Sequence, residues 1–75
     1  MYRREIRKLY LSVGEEVIHT GHPEWGSGRV VEEMNSTVAG GMSMVRIEFH
    51  HGGNKTFDNN LSSLWCCYHA GIRKV

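Results

Sequence analysis

Residues 13–30 read V-G-E-E-V-I-H-T-G-H-P-E-W-G-S-G-R-V, and this stretch decides the fold. Val17-Ile18-His19 is a short run of strand-forming side chains closed by a histidine. Thr20 to Ser27 then holds Gly21, Pro23 and Gly26, residues that end a strand and turn a chain. Gly26 and Gly28 stand one residue apart, which leaves one of them free to adopt positive φ as the next strand begins. Gly14 and the acids after it lead into the first strand. The segment is a strand–loop–strand corner.

Outward from this corner the same texture continues. Gly28 to Met34 reads as a second strand whose polar side is supplied by Arg29, Glu32 and Glu33. Asn35 to Gly41 is a loop. In Met42 to His50, Val45, Ile47 and Phe49 alternate with Met44, Arg46 and Glu48, a clean period of two. His51-Gly52-Gly53-Asn54 is a hairpin turn, and Lys55 to Asp58 returns with Phe57 inward. Asn59 to Leu64 reads as a short 3₁₀ or helical turn, with asparagine capping it and Leu61 and Leu64 facing in. Trp65 to Tyr68 reads as a last short strand. Upstream, Ile6, Leu9 and Tyr10 lie on one face if residues 2–11 are helical, and a frayed arm is the other reading. Four to five short strands predict a mostly all-β domain, a closed or nearly closed barrel over residues 13–75, preceded by a basic arm or short helix over 1–12.

Composition sets outer bounds. The chain has 75 residues, 40% of them hydrophobic, so it is globular but its core is small. No apolar run approaches the roughly 18 residues that cross a bilayer. Arg3-Arg4 is followed by no apolar stretch of the kind export signals carry, so the expected location is cytoplasmic, with no membrane partner. Residues 1–8 carry Arg3, Arg4, Arg7 and Lys8 against Glu5 alone, and the tail adds Arg73 and Lys74. Residues 9–72 hold three cations against seven acids. A barrel that grips nucleic acid with its face would be basic there; this one is acidic, leaving only the ends to touch phosphate.

The chemistry-bearing residues are few. Cys66 and Cys67 are neighbours, which bridge only with strain. Together with His69, His50 and His51 they supply enough donors for zinc, but zinc knuckles space their cysteines by two to four residues. The simpler reading buries one cysteine as a small hydrophobe and leaves the other near the surface. His19 and His22 lack a local third ligand, so a strand-end histidine bonded to loop backbone is the expectation, and no metal or other cofactor is expected. No serine sits in a nucleophile elbow, Gly26-Ser27-Gly28 is too short for a phosphate loop, and no motif fixes a carboxylate pair. The expectation is a non-enzymatic protein with no small-molecule substrate. Trp25, in its Gly/Pro-bounded loop, either anchors an interface or folds back to cap the barrel end. Lys55 either meets a partner's carboxylate or phosphate, or guards a strand edge. Arg46 and Met44 complete the partner-facing candidates.

Gly14, Val17, His19, Pro23, Glu24, Trp25, Gly26, Gly28 and Val30 together resemble the pattern G-x-x-V-x-H-P-x-x-P-E-W-G-x-G-x-V. That pattern occurs in a family of short uncharacterised prokaryotic proteins. It is similar to the SH3-like, Tudor-like domains of the CarD and transcription-repair coupling factor group and of the C-terminus of Rep/UvrD-type helicases. The likeness continues more loosely through Val45, Ile47, Phe49, Gly53, Lys55 and Leu64. The longer Asn35–Gly41 loop, Asn54, and Cys66-Cys67-Tyr68-His69 depart from it. The resemblance implies an SH3-like barrel that binds without chemistry of its own, docking on RNA polymerase or a repair factor partly by strand addition along Met42–His50 or Lys55–Asp58. Nucleic-acid binding through Arg3, Arg4, Arg7 and Lys8 is the alternative, and a metal or redox site at Cys66, Cys67 and His69 the second.

Overall fold

The structure, a computed structural model, describes residues 8–38 and 41–75. Five strands form one antiparallel sheet: β1 (Glu16–His19), β2 (Gly28–Asn35), β3 (Ser43–Phe49), β4 (Gly53–Asp58) and β5 (Ile72–Lys74). A 3₁₀ turn, Pro23–Trp25, lies between β1 and β2, and one helical turn, α1 (Cys67–Ala70), precedes β5. The order across the sheet is β4-β3-β2-β1-β5. The mostly β fold is as the sequence predicts, curled into a half-barrel. It is not sealed strand to strand: β4 and β5 are the two sheet edges.

Period-two patterning sorts the side chains. Val17, Val30, Val45, Ile47, Phe49 and Ile72 fill the concave side with Leu11, Cys66 and Cys67, while Glu16, Arg29, Arg46 and Glu48 face outward. Between Val30 and Glu32 the pairing with β3 slips by a residue. This bulge puts Val31 on the surface and steepens the curl. At Gly28 a β-carbon would lie 2.7 Å from the ring of Phe49, its partner on β3, so only glycine lets β2 and the aromatic core approach this closely.

The chain before Val13 is part of the packing. Lys8 to Ser12 is extended rather than helical, with Leu9 bridged to Asn60 and Leu11 in the core. The helical reading of residues 2–7 lies outside the described residues. The extended path is fixed by Asn59, which is fully buried. Its Oδ1 accepts from the Leu11 N–H at 2.8 Å and its Nδ2 donates to the Leu11 carbonyl at 2.9 Å. Its own N–H donates to the Ser43 carbonyl at 2.7 Å. Asn59 is thus a clamp between the incoming chain and β3, and the capping asparagine of the turn is Asn60, whose Oδ1 accepts the Ser62 N–H at 3.0 Å.

Three expectations fail in the C-terminal third. Leu64 points outward and is 87% exposed, because Asn59 and Leu61 take the inward places of that turn. Trp65–Tyr68 is not a strand: Cys67 starts α1, and the last strand comes later, at Ile72–Lys74. The break is Gly71, whose left-handed φ of 118° ends α1 while its N–H bonds back to Cys67 and Tyr68 carbonyls. Finally, both cysteines are buried, since a turn rather than a strand lets neighbours face the same way.

Candidate functional site

The corner between β1 and β2 brings together Trp25, His19 and His22, three rings that the sequence singles out, with Phe49 of β3. Pro23 opens the 3₁₀ turn, and Trp25 N–H donates to the His22 carbonyl at 3.0 Å. Gly26 leaves the turn at φ 73°, a conformation open to glycine, and passes the chain to β2. Trp25 is thereby folded back against the sheet end. The His22 ring stacks on it at 4.0 Å and 3°, His19 meets it edge-on at 5.1 Å, and Phe49 lies 5.2 Å away. The Lys55 ammonium sits 4.8 Å from the indole centroid. On the facing loop Gly52 leaves the room: a β-carbon there would come within 2.6 Å of the indole.

Charge and hydrogen bonding lock this corner. His19 is buried, and its Nδ1 accepts the Gly21 N–H at 3.0 Å, which fixes a neutral ring with the proton on Nε2. Burial first, and then the neighbouring His22, hold its pKa below the ordinary histidine value. His22 Nδ1 pairs with Glu24 at 3.0 Å, and that hydrogen bond is the main reason the Glu24 carboxyl lies below its usual range. Gly14 donates to the Val30 carbonyl and joins the other end of β1 to β2. Gly14, Val17, His19, Pro23, Trp25, Gly26, Gly28 and Val30 therefore form one contiguous corner.

The other candidates lie apart from it, Lys55 excepted. Arg46, exposed on β3, pairs with Glu32 at 2.9 Å, and Met44 is half-buried opposite Met34 and Asp58. Arg73 lies 4.1 Å from the Tyr68 ring centroid and bonds the Tyr68 carbonyl, and Lys74 pairs with Glu15 at 3.2 Å. Both tail cations are thus engaged within the chain. Lys8 is exposed; Arg3, Arg4 and Arg7 lie outside the described residues. Among the described residues no group of three or more His, Cys, Asp or Glu side chains is placed to hold a metal ion. The thiols of Cys66 and Cys67 are free and sealed. Burial, reinforced by Cys66, pushes the Cys67 thiol up to about 12.

Sequence reading missed Trp65. It is 84% exposed, on a turn whose neighbours Cys66 and Cys67 take the core positions. It borders a depression of about 250 Å³ beside Met42 and Asp58. The double cysteine, both members apolar enough to bury, was the available signal that the residues before it turn outward. A second shallow depression, about 410 Å³, lies where Arg29 of β2 stands between Glu16 and Glu48.

A half-barrel with a packed aromatic corner and, among the described residues, β4 and β5 as its edge strands defines a small all-β domain. No helix among the described residues is long and apolar enough to cross a membrane. Residues 11–66, well over half the chain, match the sequence profile of a family described as protein of unknown function (DUF3553), and the chain belongs to that family. No curated protein and no solved structure matches it.

Proposed function

We propose that the chain is a cytoplasmic, non-enzymatic module that binds a protein of the transcription or DNA-repair machinery, such as RNA polymerase, by adding a strand to its sheet. The observation that carries this reading is the edge of β4, which no other strand covers among the described residues. Asn59 N–H bonds the Ser43 carbonyl, and hydrogen-bonded pairs alternate along an antiparallel ladder. Gly53, Lys55 and Phe57 therefore bond β3, and the backbone groups of Asn54 and Thr56 point away from the sheet. Asp58 is bridged by Cys66, so the open edge is Gly53–Phe57. β3, the other strand expected to accept a partner, is paired on both sides and has no edge to offer. β5 is a poorer edge: its Ile72 carbonyl accepts from Tyr10 and Arg73 side chains.

Lys55 does not guard this edge, because its ammonium lies over Trp25. Strand addition supplies affinity through main-chain bonds and leaves side chains to choose the partner. The free, buried thiols suit a reducing compartment. The test is retention of RNA polymerase or a repair factor from host lysate on the immobilised chain. Thr56→Pro removes one outward N–H and spares the ladder, so it should abolish retention while the circular dichroism spectrum is unchanged. Retention of neither protein, or retention indifferent to Thr56→Pro, would overturn the reading.

A further inference from the structure

The turn after β4 presents a surface that strand addition does not use. Trp65 is 84% exposed, Leu64 beside it is 87% exposed, and Met42 across the depression is 59% exposed. A core this small does not leave its larger tryptophan surface in water for packing reasons. The backbone holds it there. Ser63 N–H donates to the Asn60 carbonyl, Cys66 N–H to the Ser63 carbonyl, and Trp65 N–H to Ser63 Oγ at 3.1 Å. The turn is bonded to itself, so its backbone has little conformational freedom left to lose on binding.

The depression between Trp65 and Met42 has a second feature. Asp58 lines it, half-buried, and its Oδ1 accepts the Asn60 N–H at 2.8 Å. Among the described residues no cation lies within ion-pair distance of this carboxylate. An acid and an exposed indole bordering one depression are complementary to a cation, and the planar guanidinium of arginine can stack on the ring while donating to the carboxylate. Cations lie over rings three times within the described residues, Lys55 over Trp25, Arg73 over Tyr68 and Lys74 over Tyr10. At about 250 Å³ the space is below the size of a small-molecule pocket and suits one inserted side chain.

We propose that the Trp65–Asp58 depression is a docking site for a peptide segment of a partner protein that inserts an arginine, its guanidinium stacked on Trp65 and bonded to Asp58, with an adjacent apolar residue against Met42 and Leu64. Charge favours this occupant over nucleic acid. Asp58 is the charged group among the residues lining the depression, so a phosphate seated there would face its carboxylate. The site stands independently of the strand-addition reading, since it lies beyond the open Gly53–Phe57 edge.

Selection of a random peptide library displayed on phage against the immobilised full chain tests it. The selected peptides should share an arginine next to an aliphatic or aromatic residue. A synthetic copy of one should bind at least tenfold more weakly to Trp65→Ala and to Asp58→Asn, and should lose binding when its arginine becomes glutamine. Asp58→Asn keeps an oxygen for the Asn60 N–H, so the turn is preserved. Thr56→Pro should leave peptide binding unchanged, which separates this site from the β4 edge. No enrichment, selected peptides without a cation, or binding indifferent to both variants would overturn the proposal. It would also fall if Trp65 instead captured a dT12 oligonucleotide, or mediated self-association in sedimentation that Trp65→Ala abolished.

Discussion

The two tryptophans of this chain sit in turns of similar character and meet opposite fates. Trp25 is packed, between the His22 ring, the His19 edge, Phe49 and the space left by Gly52. Trp65 is almost wholly in water. The corner around Trp25 adds ring packing to its hydrogen bonds. The turn around Trp65 is held by backbone and asparagine hydrogen bonds, with its largest side chain contributing nothing to the core. A small domain can therefore stabilise one loop with an aromatic side chain and release the same residue type from another, provided polar bonds replace it.

The sharpest break in that contrast is alanine at each position. Trp25→Ala should cost about 3 kcal/mol of unfolding free energy, and Trp65→Ala less than about 0.5 kcal/mol, read from urea denaturation. Equal losses at both positions would refute the contrast. Asn59→Ala attacks the hydrogen-bonded turn instead. It strands the buried N–H and carbonyl of Leu11 and should cost about 2–3 kcal/mol, with amide exchange at Leu11 accelerating. Gly52→Ala sharpens the packing half. The new methyl would overlap Trp25 and should cost about 1–3 kcal/mol, and that cost should shrink in the Trp25→Ala background, where the 2.6 Å approach to the indole is removed and the 2.9 Å approach to the β-carbon stays.

The smallest effect expected is a pH slope. His19 is held neutral by burial, so its folded pKa lies below 6.5. Below pH 6.5 the unfolded chain binds a proton that the folded chain refuses. The stabilising contribution is complete above that pH and is lost as pH falls through it. The urea midpoint should drop between pH 7.5 and 5, and His19→Gln should flatten that interval. The lowered carboxyls of Glu24 and Glu15 add their own loss only as pH falls through 4.5.

Local pattern made much of this architecture readable. Val45, Ile47 and Phe49 announce β3 by alternation alone, and the glycines around Trp25 announce the corner. The 3₁₀ turn was hidden because three residues carry no periodicity, only Pro23. The bulge at Val31 interrupts the alternation of β2, and its cause lies in the pairing with β3, which no single strand records. The place of the last strand was misread because Trp65–Tyr68 has strong β propensity. Gly71, free to cap a helical turn, was the overlooked sign. Of the candidate residues, the corner set is brought together. Asn59 and Trp65 escaped because an asparagine that clamps a distant backbone, and an indole with nothing to pack on, are defined by tertiary neighbours.

The sealed pair at Cys66 and Cys67 turns the molecule into its own stopwatch. With both sulfurs enclosed and Cys67 protonated at any physiological pH, an alkylating reagent must wait for the chain to open. The pace of labelling then counts those openings, with no dye or tag added.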